Sequence, residues 1–245
     1  MRTYNETTYG DLIAEQYDRI NRISPQQTQA AADALAELAK NGPALELGIG
    51  TGRVAIPLRE KGIAVHGIDA SSLMIEELRK KPGGDSIPVT VGNFGDVAVE
   101  EKFSLIYVVF NTFFALLTQE EQVQCFANVA SHLLTGGVFV IEAFVPDLSR
   151  FTRNQNMVAT NVGVEGVRFD VSMHDPMHQR VDSQHVIIAN GSIQTYPVQL
   201  RYAWPSELDL MAQLAGLKLC ERWSNWQRSP FASGDGAHIS LYQQA

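Results

Sequence analysis

Apolar positions along this chain fall into two rhythms. Short unbroken apolar runs, the mark of strands buried on both faces, alternate with stretches where apolar residues return every third or fourth position, the mark of amphipathic helices. Ser24-Pro25-Gln26-Gln27 supplies an N-cap, a proline at the first helical position and a glutamine able to complete a capping box. The helix it starts, QQTQAAADALAELAK, stops at Asn41-Gly42-Pro43. A strand over 44–47, a helix over 51–61 ended by Gly62, a strand over 63–69 and a helix over 71–81 follow. After the loop Pro82-Gly83-Gly84-Asp85 come strands over 87–91 and 105–110. Thr118 and Glu121 form a second capping box, and that helix reaches 134 before Thr135-Gly136-Gly137 and a strand over 138–144. Repeated strand–helix units predict an open, doubly wound α/β sheet.

The rhythm changes between about 151 and 203. Alternating positions predict strands over 157–162, 167–173, 180–188 and 193–202, with turns at His174-Asp175-Pro176 and Ala189-Asn190-Gly191-Ser192. This is an antiparallel meander inserted into the α/β domain. A helix over 205–215 and strands over 217–223 and 238–242 complete the chain. Residues 1–23 are polar with scattered tyrosines (Tyr4, Tyr9, Tyr17) and read as a flexible or weakly helical lead-in. No repeat, low-complexity segment or linker divides the chain, so residues 1–245 form one domain, with 1–43 as an N-terminal helical lid and 150–203 as an inserted roof over the substrate.

Composition narrows the partners. A net charge of −8 argues against a duplex or transfer RNA substrate, since such affinity rests on Lys and Arg neutralising phosphates, and it suits small neutral or cationic substrates. The two cysteines, Cys125 and Cys220, are far apart, which implies no disulfide framework, no metal cluster and a reducing, cytoplasmic compartment. The first residues lack the apolar core of a signal peptide. The longest apolar stretch, 105–117, is broken by Asn111 and Thr112 and is too short to span a bilayer, so no membrane association is expected.

The stretch Ala44-Leu45-Glu46-Leu47-Gly48-Ile49-Gly50-Thr51-Gly52-Arg53 carries the chemistry. Three alternate glycines let backbone adopt positive φ and approach a ligand at a helix N-terminus. A dinucleotide fingerprint would space the third glycine one residue later, where Arg53 stands, and would not place an acid two positions before the first glycine. Glu46 either caps the helix or suits a ligand that presents an ammonium or amide rather than a diphosphate. Asp69, at the end of the next strand, can accept both hydroxyls of a ribose. A ligand with a ribose, a cationic end and no diphosphate is met by S-adenosylmethionine. A nicotinamide-dependent oxidoreductase remains the rival reading.

These residues, with Gly67-Ile68-Asp69-Ala70-Ser71, Val91-Gly92-Asn93-Phe94 and Leu134-Thr135-Gly136-Gly137, resemble the class I S-adenosylmethionine-dependent methyltransferases. The resemblance implies a Rossmann-like, doubly wound, seven-stranded and mostly parallel sheet. It implies that Gly48, Gly50 and Gly52 lie along the methionine and ribose, that Asp69 binds the ribose, and that Ala70, Asn93 and Phe94 flank the adenine. Asn93 stands where the family usually has Asp and would accept from the adenine amino group, while Ser104 departs from an acidic position. Within the family the chain is similar to amino-sugar N,N-dimethyltransferases and peptide N-terminal methyltransferases of natural-product pathways. AEQYDRI around Tyr17 and FNTFFALLTQEEQ around Asn111 carry that similarity, which implies that Tyr17 and Asn111 position groups at the methyl.

Phe110, Phe113 and Phe114 offer an aromatic wall for a sulfonium, and a buried Asn111 needs a hydrogen-bond partner. Arg53 is expected to pair with Glu15 or Asp18. His66 and His132 read as structural, Pro176 denies the His174–His178 pair a helical metal-binding geometry, and His174, His178 or His185 is a candidate base from the roof. The expected activity is methyl transfer to an amine of a small metabolite or peptide, with O-methylation or non-catalytic cofactor binding as alternatives. No metal is called for, and the oligomeric state is left open, a homodimer being one arrangement.

Overall fold

A computed structural model describes residues 3–21 and 24–245; positions 1, 2, 22 and 23 of the expected lead-in lie outside the described residues. The lead-in forms α1 (Thr8–Ile13), a 3₁₀ turn and α2 (Tyr17–Ile20), followed by α3 (Pro25–Ala39), whose N-cap Ser24 accepts from the Gln27 amide. Then come β1 (Ala44–Leu47), α4 (Ala55–Glu60), β2 (Val65–Asp69), α5 (Ser72–Arg79), β3 (Val89–Val91) and β4 (Phe103–Val108). The next units are α6 (Gln119–His132), with both halves of its Thr118–Glu121 capping box formed, and β5 (Leu133–Phe144). Strands β6 (Gln155–Gly163), β7 (Gly166–Asp175), β8 (Arg180–Ala189) and β9 (Ser192–Arg201) precede α7 (Pro205–Leu214), β10 (Leu217–Trp223) and β11 (Ala237–Gln244).

The main sheet has seven strands in the order β10-β11-β5-β4-β1-β2-β3, parallel except where β11 runs antiparallel to β5 and β10. Its pleat sorts alternate residues to two cores. On β4, Phe103, Ile106 and Val108 pack with α6 and α7 residues such as Phe126 and Met211, whereas Leu105 and Tyr107 face Leu35 of α3 and Leu58 of α4. The expected meander is a separate four-stranded antiparallel sheet, β6-β7-β8-β9.

Several boundaries differ from the sequence expectation, three of them for backbone reasons. The helix expected to reach 134 ends at His132 and β5 begins at Leu133 rather than 138, because Leu133 already pairs with Phe103 and the Thr135-Gly136-Gly137 stretch is a bulge before Val138 pairs with Leu105. The helix predicted from 51 begins at Ala55, because the glycine turn keeps positive φ through Gly52. Strand β4 ends at Val108 rather than 110, because Phe110 and Asn111 both adopt positive φ.

The small sheet is fastened to the main domain by Arg201. This buried side chain donates to Gln122 of α6 (2.5 Å), to Gln179 (3.0 Å) and to Glu207 of α7 (2.7 Å), and Gln122 in turn donates to the Arg201 carbonyl. Removing one partner of such a buried pair strands the other charge. We therefore expect Arg201→Met to destabilise the fold by about 3 kcal/mol in a urea titration, with the midpoint moving and the m-value unchanged.

Candidate functional site

The site is built at the carboxyl ends of β1, β2, β3 and β4, where an open α/β sheet leaves its crevice. After β1 the chain turns through Gly48 (φ 71°), Gly50 (φ 54°) and Gly52 (φ 75°). The turn is strapped down, since the amides of Gly48 and Ile49 both donate to the Ile68 carbonyl (2.8 and 3.0 Å). The glycines differ in purpose. A Cβ on Gly48 would meet Thr112 at 2.4 Å and one on Gly52 would meet Leu78 at 2.1 Å, whereas one on Gly50 would enter open space. Gly48 and Gly52 therefore permit packing, and Gly50 bares backbone toward a ligand.

Asp69 closes the other side. Its two oxygens accept from the Gly50 amide (2.7 Å) and the Ser71 amide (2.9 Å). A carboxylate has about four lone-pair sites, so two remain for the vicinal hydroxyls of a ribose. Burial raises the Asp69 pKa above the usual carboxylate value, while the two amides pull it back.

Glu46 is buried at the end of β1 and accepts from the Tyr107 hydroxyl at 2.9 Å. Burial pushes its pKa up to about 8. It is therefore largely protonated at neutral pH until a cation arrives beside it.

Arg53 pairs with neither Glu15 nor Asp18. Its guanidinium lies 4.0 Å from the Phe110 ring centroid and 5.4 Å from that of Tyr17, and it donates to the Tyr17 hydroxyl at 3.1 Å. Its Nε and one terminal nitrogen are buried without a partner. Unpaired donors on a buried cation call for an anion, and a carboxylate matches their fork. Asp18 instead accepts from Thr51 (2.8 Å) and pairs with Lys81 (2.5 Å). No local pattern announced this socket, since Tyr17 and Phe110 reach Arg53 from distant positions in the chain.

The remaining predicted residues have definite places. Tyr17 is half-buried, with its pKa pushed up to about 12 by burial. Asn93 caps a 3₁₀ turn through its carbonyl, which accepts from Gly95 (2.9 Å), and its amide donates to Glu6 (3.3 Å), so only one lone pair is left for an adenine. Ala70 is half-buried at the end of β2. Phe94 packs into the core beside Gly48.

Asn111 is exposed rather than buried, and its carbonyl accepts from the Phe144 amide at 2.7 Å, which leaves its amide nitrogen for a ligand. Phe113 and Phe114 are fully buried in an aromatic core with Phe126 and Phe144, so Phe110 is the member of the expected aromatic wall that faces the site. Ser104 donates to the carbonyls of Ala39 and Pro43 (3.0 Å each) and is structural.

Glu142 was not anticipated. It sits near the end of β5 and accepts from the Phe110 amide (3.0 Å) and the Trp226 indole (2.9 Å). It thereby holds Phe110 in its strained positive-φ geometry, which for such a residue costs about 1–3 kcal/mol.

The fold and the site together define an enzyme that binds a nucleoside with an amino-acid tail. The methyltransferase-domain family matches residues 44–137. The structure of the CcbJ methyltransferase from Streptomyces caelestis aligns with a TM-score of 0.92 and 38% identity, covering 99% of this chain and 100% of that one. A cypemycin N-terminal methyltransferase from Streptomyces sp. is 25% identical over 234 residues, 93% of this chain and 94% of that protein. S-adenosylmethionine-bound CalS10, an amino pentose methyltransferase from Micromonospora echinaspora, shares the fold at a TM-score of 0.68 and 19% identity over 98% of both chains. The chain belongs to the S-adenosylmethionine-dependent methyltransferases, which sets aside the nicotinamide reading.

The residues present fit that cofactor. Gly50 offers an open face, Asp69 has two free lone-pair sites, Arg53 has unpaired donors suited to the methionine carboxylate, and Glu46 suits its ammonium. We expect Asp69→Ala to weaken S-adenosylmethionine binding at least tenfold by calorimetry, about 1.4 kcal/mol; unchanged affinity in the folded variant would remove Asp69 from the ribose seat. An ammonium beside Glu46 lowers its pKa and draws off its proton. Cofactor binding at pH 7 should therefore release a proton, read as a dependence of binding enthalpy on buffer ionisation. In Glu46→Gln that dependence should disappear while the Tyr107 bond is kept.

Proposed function

We propose that this enzyme transfers a methyl group to an amine of a small metabolite or peptide. The observation that carries the reading is the cradle itself, an open Gly50 face between Asp69 and the unpaired donors of Arg53. Amine as the acceptor is supported by the nearly full-length similarity to a peptide N-terminal methyltransferase and by the acidic balance of the chain, which favours a cationic substrate.

Bound S-adenosylmethionine supplies a methyl carbon made electrophilic by its sulfonium. The protein need only bring an acceptor lone pair in line at about 3–3.5 Å, so positioning accounts for most of the catalysis. In this reading Phe110 and Tyr17 form the wall beside the methyl, and the Tyr17 hydroxyl, which accepts from Arg53, turns its own proton toward the acceptor. The Asn111 amide nitrogen lies at the same strand end and orients acceptor oxygens. Residues 3–21 act as a lid, held by Ser71 donating to Asp11 (2.7 Å), and the small sheet is the roof. No helix among the described residues is long and apolar enough to cross a membrane, and the free thiols support a reducing cytoplasmic location.

The test is a matched panel. The amide of Ala-Gly-Gly and methyl 3-amino-3-deoxyglucoside present amines; the amide of lactyl-Gly-Gly and methyl glucoside present hydroxyls in their place. We expect S-adenosylhomocysteine and N-methylated product from the amines alone. Turnover confined to the hydroxyls would replace the reading with O-methylation, and tight cofactor binding without turnover of any probe would indicate a binding module.

A further inference from the structure

The geometry points to His185, held by Asp170, as the base that removes a proton from the acceptor. This rests on the amine reading and names the residue that frees the lone pair. Asp170 on β7, His185 on β8 and Tyr196 on β9 stand directly opposite one another across the small sheet. Opposed residues share a face, and Tyr196 tells which face it is. Tyr196 is buried against Ile13, Ala14 and Met74, and its hydroxyl donates to Gln16 of the lid. The row therefore looks inward. Tyr9 packs edge-on against Tyr17, whose hydroxyl accepts from Arg53, and Ile187, two residues from His185 on β8, packs into the same cluster as both tyrosines. That sets the face carrying the His185–Asp170 pair against the N-terminal segment that contacts Arg53.

The pair has the form a base requires. His185 Nδ1 and an Asp170 oxygen are 2.6 Å apart, a bond that fixes the ring and its tautomer and aims Nε2 away. Among the described residues Nε2 has no hydrogen-bond partner, and the two side chains are 23% and 24% exposed, so an acceptor can reach them. The other histidines are engaged elsewhere. His174 is bonded to Tyr202, His66 to Thr90, and both His132 nitrogens to backbone carbonyls. His238 is fully buried, and His178 pairs with Asp175 on an exposed turn. The charged and titratable groups around His185 are Asp170 and Arg168 from β7, Tyr196 from β9 and Tyr9 from the lid.

The step balances. An acceptor ammonium gives a proton to Nε2, and the imidazolium is stabilised by the Asp170 carboxylate. The freed lone pair forms the nitrogen–carbon bond as the electron pair of the carbon–sulfur bond leaves with sulfur, giving a neutral thioether. The positive charge passes to the methylated amine, and the imidazolium returns its proton to water.

The experiment measures kcat/KM against pH for the full chain with saturating S-adenosylmethionine. Its amine probe is the Ala-Gly-Gly amide, or the amino glucoside if that is the one turned over. An α-amino group of ordinary pKa about 7.7–8.0 is roughly one-tenth neutral at pH 7. His185→Gln should therefore lose about tenfold at pH 7 and nothing above pH 9, where solvent has already removed the proton. Asp170→Asn should show the same pH-dependent loss, while His178→Gln should follow wild type throughout. Unchanged cofactor affinity reports an intact cradle in each variant. A loss uniform across pH, or no loss in either His185→Gln or Asp170→Asn, overturns the assignment while amine methylation stands. Wild-type enzyme that methylates no amine probe overturns the amine reading and the base together.

Discussion

The carboxylate of Asp69 is the fixed point of this molecule. One oxygen holds the Gly50 amide and the other the Ser71 amide, so a single side chain ties the turn after β1 to the residue that starts α5. Ser71 then carries the connection outward, because its hydroxyl accepts from the Met74 amide and donates to Asp11 of the N-terminal segment. Gly10, against the same serine, has no room for a Cβ, which would lie 2.6 Å from Ser71. The glycine turn, the Asp69 carboxylate and the N-terminal helices thus share one hydrogen-bonded line. Charge at its centre is tolerated because both oxygens meet amide donors, the standard compensation for a buried carboxylate.

What could be read from the sequence follows from which interactions are local. Capping at Ser24 and Thr118, glycine stops and the pleat of β4 and β5 depend on neighbours a few residues away, and the pattern exposes them. The seven strands of the main sheet, the antiparallel meander and the glycine turn were legible for that reason; the lateral order of the strands was not, because it rests on pairings between distant segments. Arg53 was not, since the choice between an acidic partner and an aromatic sandwich depends on where Phe110 and Tyr17 arrive from distant parts of the chain. Asn111 fell to the same cause. An apolar run predicts burial for all its members, but positive φ at Phe110 and Asn111 turns Asn111 out to the surface, while Phe114 goes inward.

That strained corner has a visible counterweight. The Glu142 side chain accepts from the Phe110 amide, the Asn111 side-chain carbonyl accepts from the Phe144 amide, and the Asn111 backbone N–H donates to the Glu142 backbone carbonyl (3.2 Å). Three hydrogen bonds between the ends of β4 and β5, each worth about 1 kcal/mol, are enough to offset one phenylalanine at positive φ. The result is that the Phe110 ring lies beneath the Arg53 guanidinium instead of following Phe113 and Phe114 into the core.

The two sheets answer to different constraints. In the main sheet nearly every residue near the site is pinned by something else: Gly48 by Thr112, Gly52 by Leu78, Asp69 by two amides, Phe110 by Glu142. A change there disturbs both packing and the cofactor. The small sheet satisfies its own backbone through its own ladders, and Val181 and Tyr202 carry its apolar contact with the large core while Arg201 supplies the polar anchor. Inward positions such as Asp170 and His185 can therefore vary without loosening the cradle, whereas Arg168 also donates to the Ile20 carbonyl of α2. In the proposed reading, the residues that hold the sulfonium donor sit where packing leaves no freedom, and those that would meet the acceptor sit on a sheet whose backbone is indifferent to its side chains.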